Sequence, residues 1–134
     1  MSQSSDEPRI AQALRELTGA LAETIEVSGL DAEPTAQRAL WPCEDAGKRA
    51  FTISYDVIVP DPHRVVNAVV DHWRQRRFTV QVDRSRDHSQ PEAIVKSRIF
   101  ELSVHGFPDR SSVWVRGNTV CLPGEVPEDW RDVR

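Results

Sequence analysis

The stretch FTISYDVIVPDP, residues 51–62, contains the two signals from which the rest of the fold follows. Phe51, Ile53 and Tyr55 begin an alternation of apolar with mostly polar side chains over 51–59, which predicts a β-strand with one buried face. Asp61 and Pro62 then predict the start of a helix, because an aspartate side chain caps a first turn into which proline fits. A strand followed directly by a helix therefore forms the centre of the chain.

A helix is predicted on each side of this strand. The first covers 8–28, with Ser5 or Asp6 expected to cap it and Gly29 to end it. Its apolar residues recur every three or four positions and so share one face: Ile10, Leu14, Leu17, Leu21 and Ile25. The second begins at Pro62, and its apolar face has the same spacing: Val65, Val66, Val69, Val70 and Trp73. Each helix therefore needs a surface to cover, and a sheet provides one.

Four further strands are predicted after the second helix, over 78–83, 93–96, 101–107 and 112–122. Residues 30–50 are expected to be loop, and Gly117 with Asn118 to form a bulge. Short polar turns between sequential strands favour antiparallel pairing. We therefore expect an α+β fold: a single antiparallel sheet of about five strands, a meander, with two helices packed on one face. Residues 1–7 are predicted to be a disordered leader, 8–124 one domain and 125–134 a tail.

Composition excludes several classes of function. The 134 residues carry a formal net charge of -4. This balance argues against a nucleic-acid partner, since a general nucleic-acid binder needs surplus positive charge. No apolar run reaches the roughly 20 residues of a transmembrane helix. The polar start lacks a secretory signal, so the protein is expected to be cytoplasmic if Met1 is the natural start. It is expected to be secreted or a cell-envelope lipoprotein if a signal segment was removed.

The residues that could carry chemistry are scattered. His63 and His72 fall on opposite faces of the second helix, and no histidine pair has zinc-ligand spacing. There is no nucleophile elbow and no glycine-rich phosphate loop. We therefore predict no enzyme activity, no cofactor and no metal.

Two groups of side chains are candidates for a contact surface. Arg74, Arg76 and Arg77 cluster at the end of the second helix, where they either bind an acidic partner or complement the negative end of the helix dipole. Trp114 falls on the strand face opposite Val113 and Val115, beside Arg116. Because exposed tryptophan is typical of binding interfaces, Trp114 with Arg116 is the preferred contact surface for an unidentified protein partner.

The two cysteines, Cys43 and Cys121, lie at the borders of predicted elements. A bond between them would close a long loop and stabilise the fold by roughly 4–5 kcal/mol in the chain-entropy model. Two free thiols in a reducing compartment are the alternative. The residues alone leave both possibilities open.

The layout also resembles a group of known proteins. A leading helix precedes Cys43, His72 and Trp73 end the second helix, FTV follows at 78–80, and TVCLP closes the meander at 119–123. Over 9–124 this arrangement resembles small two-cysteine secreted proteins and lipoproteins of actinomycetes. The resemblance implies an α+β fold, a Cys43–Cys121 disulfide and a location outside the cytoplasm. It brings no catalytic residue, and this sequence departs from it by lacking the signal and the lipid-attachment cysteine.

The sequence therefore predicts a small, non-catalytic interaction or structural domain, stabilised by a disulfide and associated with the cell envelope. The alternative is a cytoplasmic accessory protein, such as an immunity or regulatory partner, with free thiols.

Overall fold

A computed structural model describes residues 8–29 and 36–132 of the chain. Within them lie two helices, six strands and a single turn of 3-10 helix at Pro108–Arg110. The elements in chain order are α1 (Ile10–Val27), β1 (Ala36–Pro42), β2 (Arg49–Ile58), α2 (Pro62–Gln75), β3 (Thr79–Arg84), β4 (Glu92–Lys96), β5 (Phe100–Phe107) and β6 (Ser112–Thr119). Ser5 and Asp6, the expected caps of α1, and the leader 1–7 fall outside the described residues.

The strands form one antiparallel sheet in the order β1-β2-β6-β5-β4-β3. The last four strands are the predicted meander, and β6 closes it by pairing with β2 in the middle of the sheet. The prediction of an α+β fold with a single antiparallel sheet is therefore confirmed, with six strands in place of about five.

The prediction of loop over 30–50 is wrong for 36–42, which form the additional strand β1, and for 49–50, with which β2 begins. Each β1 residue from Ala36 to Pro42 has a partner on β2, from Tyr55 back to Arg49. Of the seven residues of β1, only Trp41 belongs to a type enriched in strands, so the segment has little intrinsic strand preference. It is extended because the edge of β2 offers backbone hydrogen-bonding groups that a partner strand satisfies.

Both helices cover the same face of the sheet, as predicted. α1 lies over β2 and β6, and α2 lies over β4 and β5. Their apolar stripes bury the alternate side chains of the strands, including Phe51, Val104 and Val115. The two helices are also joined to each other, because the Trp73 indole nitrogen donates a hydrogen bond of 2.9 Å to the Thr24 hydroxyl.

Gly117 does not form the bulge that the sequence predicted. The register of β6 is unbroken on both sides, with Gly117 paired to Ile53 and to Leu102. A side chain at this position would meet the fully buried Leu17 of α1, so the glycine lets the helix approach the strand closely. The one register shift in the described sheet lies instead between Val80 and Val82 of β3.

The start of α2 and the end of α1 follow the predicted signals. The Asp61 carboxylate accepts a hydrogen bond from the Arg64 backbone N–H, and Pro62 occupies the first turn. Gly29 follows α1 with a φ of 74°, a conformation that glycine adopts without steric cost. Strand β6 ends at Thr119 rather than Leu122, which forms an isolated bridge to Arg49.

Candidate functional site

The face of the sheet turned away from the helices carries the strand residues that alternate with the core. We call it the open face. Its central members, which are half-buried or exposed, are Thr52, Ser54, Asp56, Ser112, Trp114, Arg116, Asn118, Glu101, Ser103, His105, Phe107 and Glu92. Strand alternation places these side chains together, because each pairs with its neighbours across β2, β6, β5 and β4.

Three aromatic rings and two guanidinium groups stack across this face, and we call them the aromatic ladder. The rings of Phe107 and His105 are parallel, with centroids 4.5 Å apart, and His105 lies 5.2 Å from Trp114. Arg110 covers Phe107 at 4.6 Å, and Arg116 covers Trp114 at 4.1 Å. Cations over ring faces are attracted by the ring quadrupole, so each end of the ladder is capped by a positive charge.

The hairpin between β5 and β6 explains why these residues meet. The 3-10 turn and Ser111, which has a φ of 49°, reverse the chain so that Phe107 pairs with Ser112. The same register sets His105 directly opposite Trp114. Side chains on opposed residues of an antiparallel pair lie close enough to interact, so the rings are brought together by backbone pairing.

His105 is held inside the ladder. Its side chain is 15% exposed, and its Nδ1 lies 3.4 Å from Oε2 of Glu92. Its Nε2 is buried and has no hydrogen-bond partner within the described residues. Such an atom costs free energy, so ring packing must supply the contacts that keep His105 in place.

The structure divides the predicted contact residues between the two sides of the sheet. Trp114 and Arg116 lie together on the open face, whereas Arg74 and Arg76 lie on the helix side. Arg74 pairs with Asp83, and Nε of Arg76 lies 3.0 Å from Oε1 of Glu23. Arg77 is exposed just after α2, with a φ of 62°.

The Asp83 carboxylate on β3 has a lowered pKa. Hydrogen bonds from the Ser85 hydroxyl and backbone N–H, followed by the bond and charge of Arg74, lower the pKa of Asp83 from 3.8 to about 2. Arg74 therefore faces a carboxylate that is ionised at any pH near neutrality, and the pair ties α2 to β3.

Cys43 and Cys121 form a disulfide with an S–S distance of 2.04 Å and a Cα–Cα distance of 6.2 Å. The bond spans 78 residues and joins the β1–β2 turn to the segment after β6. These are the only two cysteines of the sequence. The pairing implied by the resemblance is confirmed, and the alternative of two free thiols is not what the structure contains.

The histidines are dispersed over the fold. His63 stacks on His88, with centroids 5.9 Å apart, and Nε2 of His72 lies 2.9 Å from Oε1 of Glu23. In the part of the chain that the structure describes, no three His, Cys, Asp or Glu side chains are grouped so that they could hold a metal ion.

A groove of about 600 Å³ lies on the helix side of the described fold. Phe78 and Phe100 pack edge to face in it, and Glu16, Glu23 and Arg98 also line it. Its acidic and basic side chains are mixed, and Glu23 is already held by Arg76.

The chain matches no protein-family model, no curated protein and no solved structure. No described helix is both long enough and apolar enough to cross a lipid bilayer.

His105, Phe107 and Arg110 belong to the candidate site but were not predicted from the sequence. The signal was present: His105 and Phe107 alternate with buried residues on one predicted strand, and Trp114 does so on the next. The pairing of the two strands depends on the exact residues at which the chain turns, and the sequence pattern does not identify those residues.

Proposed function

We propose that this protein is a non-catalytic interaction domain that binds a partner protein through its open face. The observation that supports this is the asymmetry of the sheet. Both helices lie on one face, and the centre of the other face carries the aromatic ladder.

The composition of the ladder suits a protein contact. Tryptophan and arginine are the side chains that most often contribute large binding energies at interfaces. Stacking also holds these side chains in fixed positions before a partner arrives, so less conformational entropy is lost on binding. Trp114 and Arg116 are therefore the residues from which we expect the largest losses of affinity.

The disulfide supports the second part of the proposal, that the domain works in an oxidising compartment such as the cell envelope. Disulfides persist outside the cytoplasm and are rare where thiols are kept reduced. The alternative of a cytoplasmic accessory protein was tied to free thiols, and both sulfur atoms are bonded.

Affinity capture from the native cells, with four forms of the protein, tests the contact surface. The wild type and Arg131→Gln should retain one partner, and Trp114→Ala and Arg116→Gln should lose it. Arg131 is a matched control, because it covers the Trp130 ring at 4.4 Å in the same kind of pair, away from the open face. Retention of that partner by both open-face variants would contradict the proposal.

The compartment is tested on the same cells. Endogenous protein trapped with a thiol-alkylating reagent before lysis should have the mass of the bonded, unmodified form. Two alkylated cysteines would contradict an oxidising location.

A further inference from the structure

The two arginines of the ladder have no acidic partner. Neither Arg110 nor Arg116 forms an ion pair with any described residue, whereas Arg74, Arg76 and Arg84 each pair with a carboxylate. Stacking uses the flat face of a guanidinium and leaves its N–H groups, which lie in the plane, available as donors. Both groups are therefore held in place and remain able to bind an anion.

Further unused donors flank Arg116. Ser54 on β2 and Ser103 on β5 are its direct cross-strand partners. Asn118, two residues further along β6, is exposed on the same face. The side chains of these three residues make no hydrogen bond to other described residues. An anion bound to Arg116 would thus have hydroxyl donors on both sides, within the spacing of neighbouring strands.

The charges around the ladder decide what kind of anion fits. Asp56 is paired with Trp114, and Glu101 with Asn118, so carboxylates lie on either side of the positive groups. The whole chain carries a charge of -4. Nucleic acid and anionic membranes present continuous negative charge and reward many cations, which these flanking carboxylates would oppose. A short segment with a few spaced carboxylates brings fewer negative charges close to Asp56 and Glu101, so the repulsion is smaller while the contacts to both guanidiniums are kept.

We propose that the open face binds a short acidic segment of a partner protein, with its carboxylates on Arg116 and Arg110. The assignment rests on the proposed function, because it names the partner chemistry for the same surface. Arg116 is the principal site, since it combines the stacked guanidinium with the hydroxyls of Ser54 and Ser103. Arg110 binds a second carboxylate at the other end of the ladder.

The test is a nuclear magnetic resonance titration of the oxidised, full-length protein. The probe is a capped peptide that alternates glutamate with serine, and the matched control replaces each glutamate with glutamine. We expect the glutamate peptide to shift the Trp114 indole N–H and the Arg116 Nε–H, and the glutamine peptide to leave both unchanged. Added salt should weaken the binding, because exposed ion pairs are screened.

Variants locate the site. Arg116→Gln should weaken peptide binding roughly tenfold, because it removes the charge-assisted hydrogen bonds from the guanidinium to a carboxylate. Arg116→Lys, which keeps the charge but not the planar group, should bind with intermediate affinity. Arg131→Gln should bind like the wild type. Dispersed amide spectra for all variants verify that each remains folded.

Three outcomes would overturn the inference: no shift at saturating glutamate peptide, equal shifts with the glutamine peptide, or shifts centred on Arg77 and Arg98. Tighter binding of duplex DNA or phosphatidylglycerol vesicles through the same arginines would overturn it too. If Trp114→Ala loses the native partner while the glutamate peptide fails to bind, the acidic segment is wrong and the proposed function stands. If Trp114→Ala keeps the native partner, the proposed function is wrong whatever the peptide does.

Discussion

Two tryptophan–arginine pairs lie on opposite sides of the sheet and differ in the residues that pack against the tryptophan ring. In one, Arg116 covers Trp114 at 4.1 Å, and in the other Arg131 covers Trp130 at 4.4 Å. Trp130 packs edge-on against Phe51, which is fully buried, with centroids 6.1 Å apart. Trp114 instead packs against His105 and Phe107, which are themselves on the open face.

The same kind of residue pair therefore has a different role on each side of the sheet. The Trp130 backbone carbonyl also accepts a hydrogen bond of 3.1 Å from Arg38, so the tail at 125–132 is fastened to β1 and closes one end of the core. Trp114 lies on the open face and does not pack on the hydrophobic core. We infer that the helix side of the sheet carries the stability of the fold and the open face carries recognition.

The largest expected effect on stability is loss of the disulfide. Replacing Cys43 and Cys121 together by serine should lower the free energy of unfolding by about 4 kcal/mol, because the bond restricts a long loop of the unfolded chain. Urea denaturation of the wild type and the double variant measures the difference. As a control, Arg116→Gln should change the free energy of unfolding equally little in the wild type and in the double-serine variant. A loss below about 1 kcal/mol would show that the bond contributes little to the fold.

The two tryptophans give the next largest contrast. Trp130→Ala should cost about 3 kcal/mol, at the lower end for a large aromatic ring packed on a core. Trp114→Ala should cost less, about 1 kcal/mol, since it removes contacts among partly exposed rings and leaves the core packing unchanged. Urea denaturation measures both. Equal losses would contradict the division of roles between the two sides.

Two adjacent residues of β6 sharpen the comparison further. Gly117 faces α1 and Arg116 faces away from it. Gly117→Ala should destabilise by about 2 kcal/mol, because the new methyl group meets Leu17, and Leu102 and Leu21 at 3.1 Å, in a closely packed core. Arg116→Gln should change stability by less than about 0.5 kcal/mol. Thermal unfolding followed by circular dichroism compares them, and a stable Gly117→Ala protein would show that α1 can move away from the strand.

The smallest destabilisation expected on the helix side concerns Asp83. Because its folded pKa is about 2 and its ordinary value is 3.8, the folded state favours the ionised carboxylate. This stabilisation is present above the ordinary pKa and is lost as the pH falls toward 2. Since the group is partly exposed, we expect Asp83→Asn to cost about 1 kcal/mol near neutral pH and nothing in strong acid. Urea denaturation of the wild type and the variant near neutral pH and in strong acid measures the two losses of unfolding free energy. Equal losses at the two pH values would contradict the lowered pKa of Asp83.

Much of the fold could be predicted from local signals. The alternation at 51–59 and the Asp61–Pro62 start placed β2 and α2, and Gly29 placed the end of α1. β1 could not be found in this way, since its extended conformation comes from pairing with β2. Gly117 was assigned to a bulge because the sequence shows the glycine within a strand but does not show that α1 packs closely against it.

The candidate site was predicted only in part. Trp114 and Arg116 were predicted to share one face because they alternate with buried residues within one strand. Phe107 and Arg110 entered the ladder through the register of the β5–β6 hairpin, which depends on where the chain turns at Ser111. The arginine cluster at 74–77 could not be judged from sequence, because its carboxylate partners belong to other elements: Glu23, which pairs with Arg76, lies on α1, and Asp83, which pairs with Arg74, lies on β3.

The most direct test of the division between the two sides is a cross-saturation experiment on the complex with the captured partner. Saturating the partner's protons should attenuate the amide and indole signals of Ser103, His105, Trp114 and Arg116. The signals of α1, α2 and Trp130 should keep their intensity. Attenuation centred on the helices, with the β5 and β6 signals unaffected, would contradict the account.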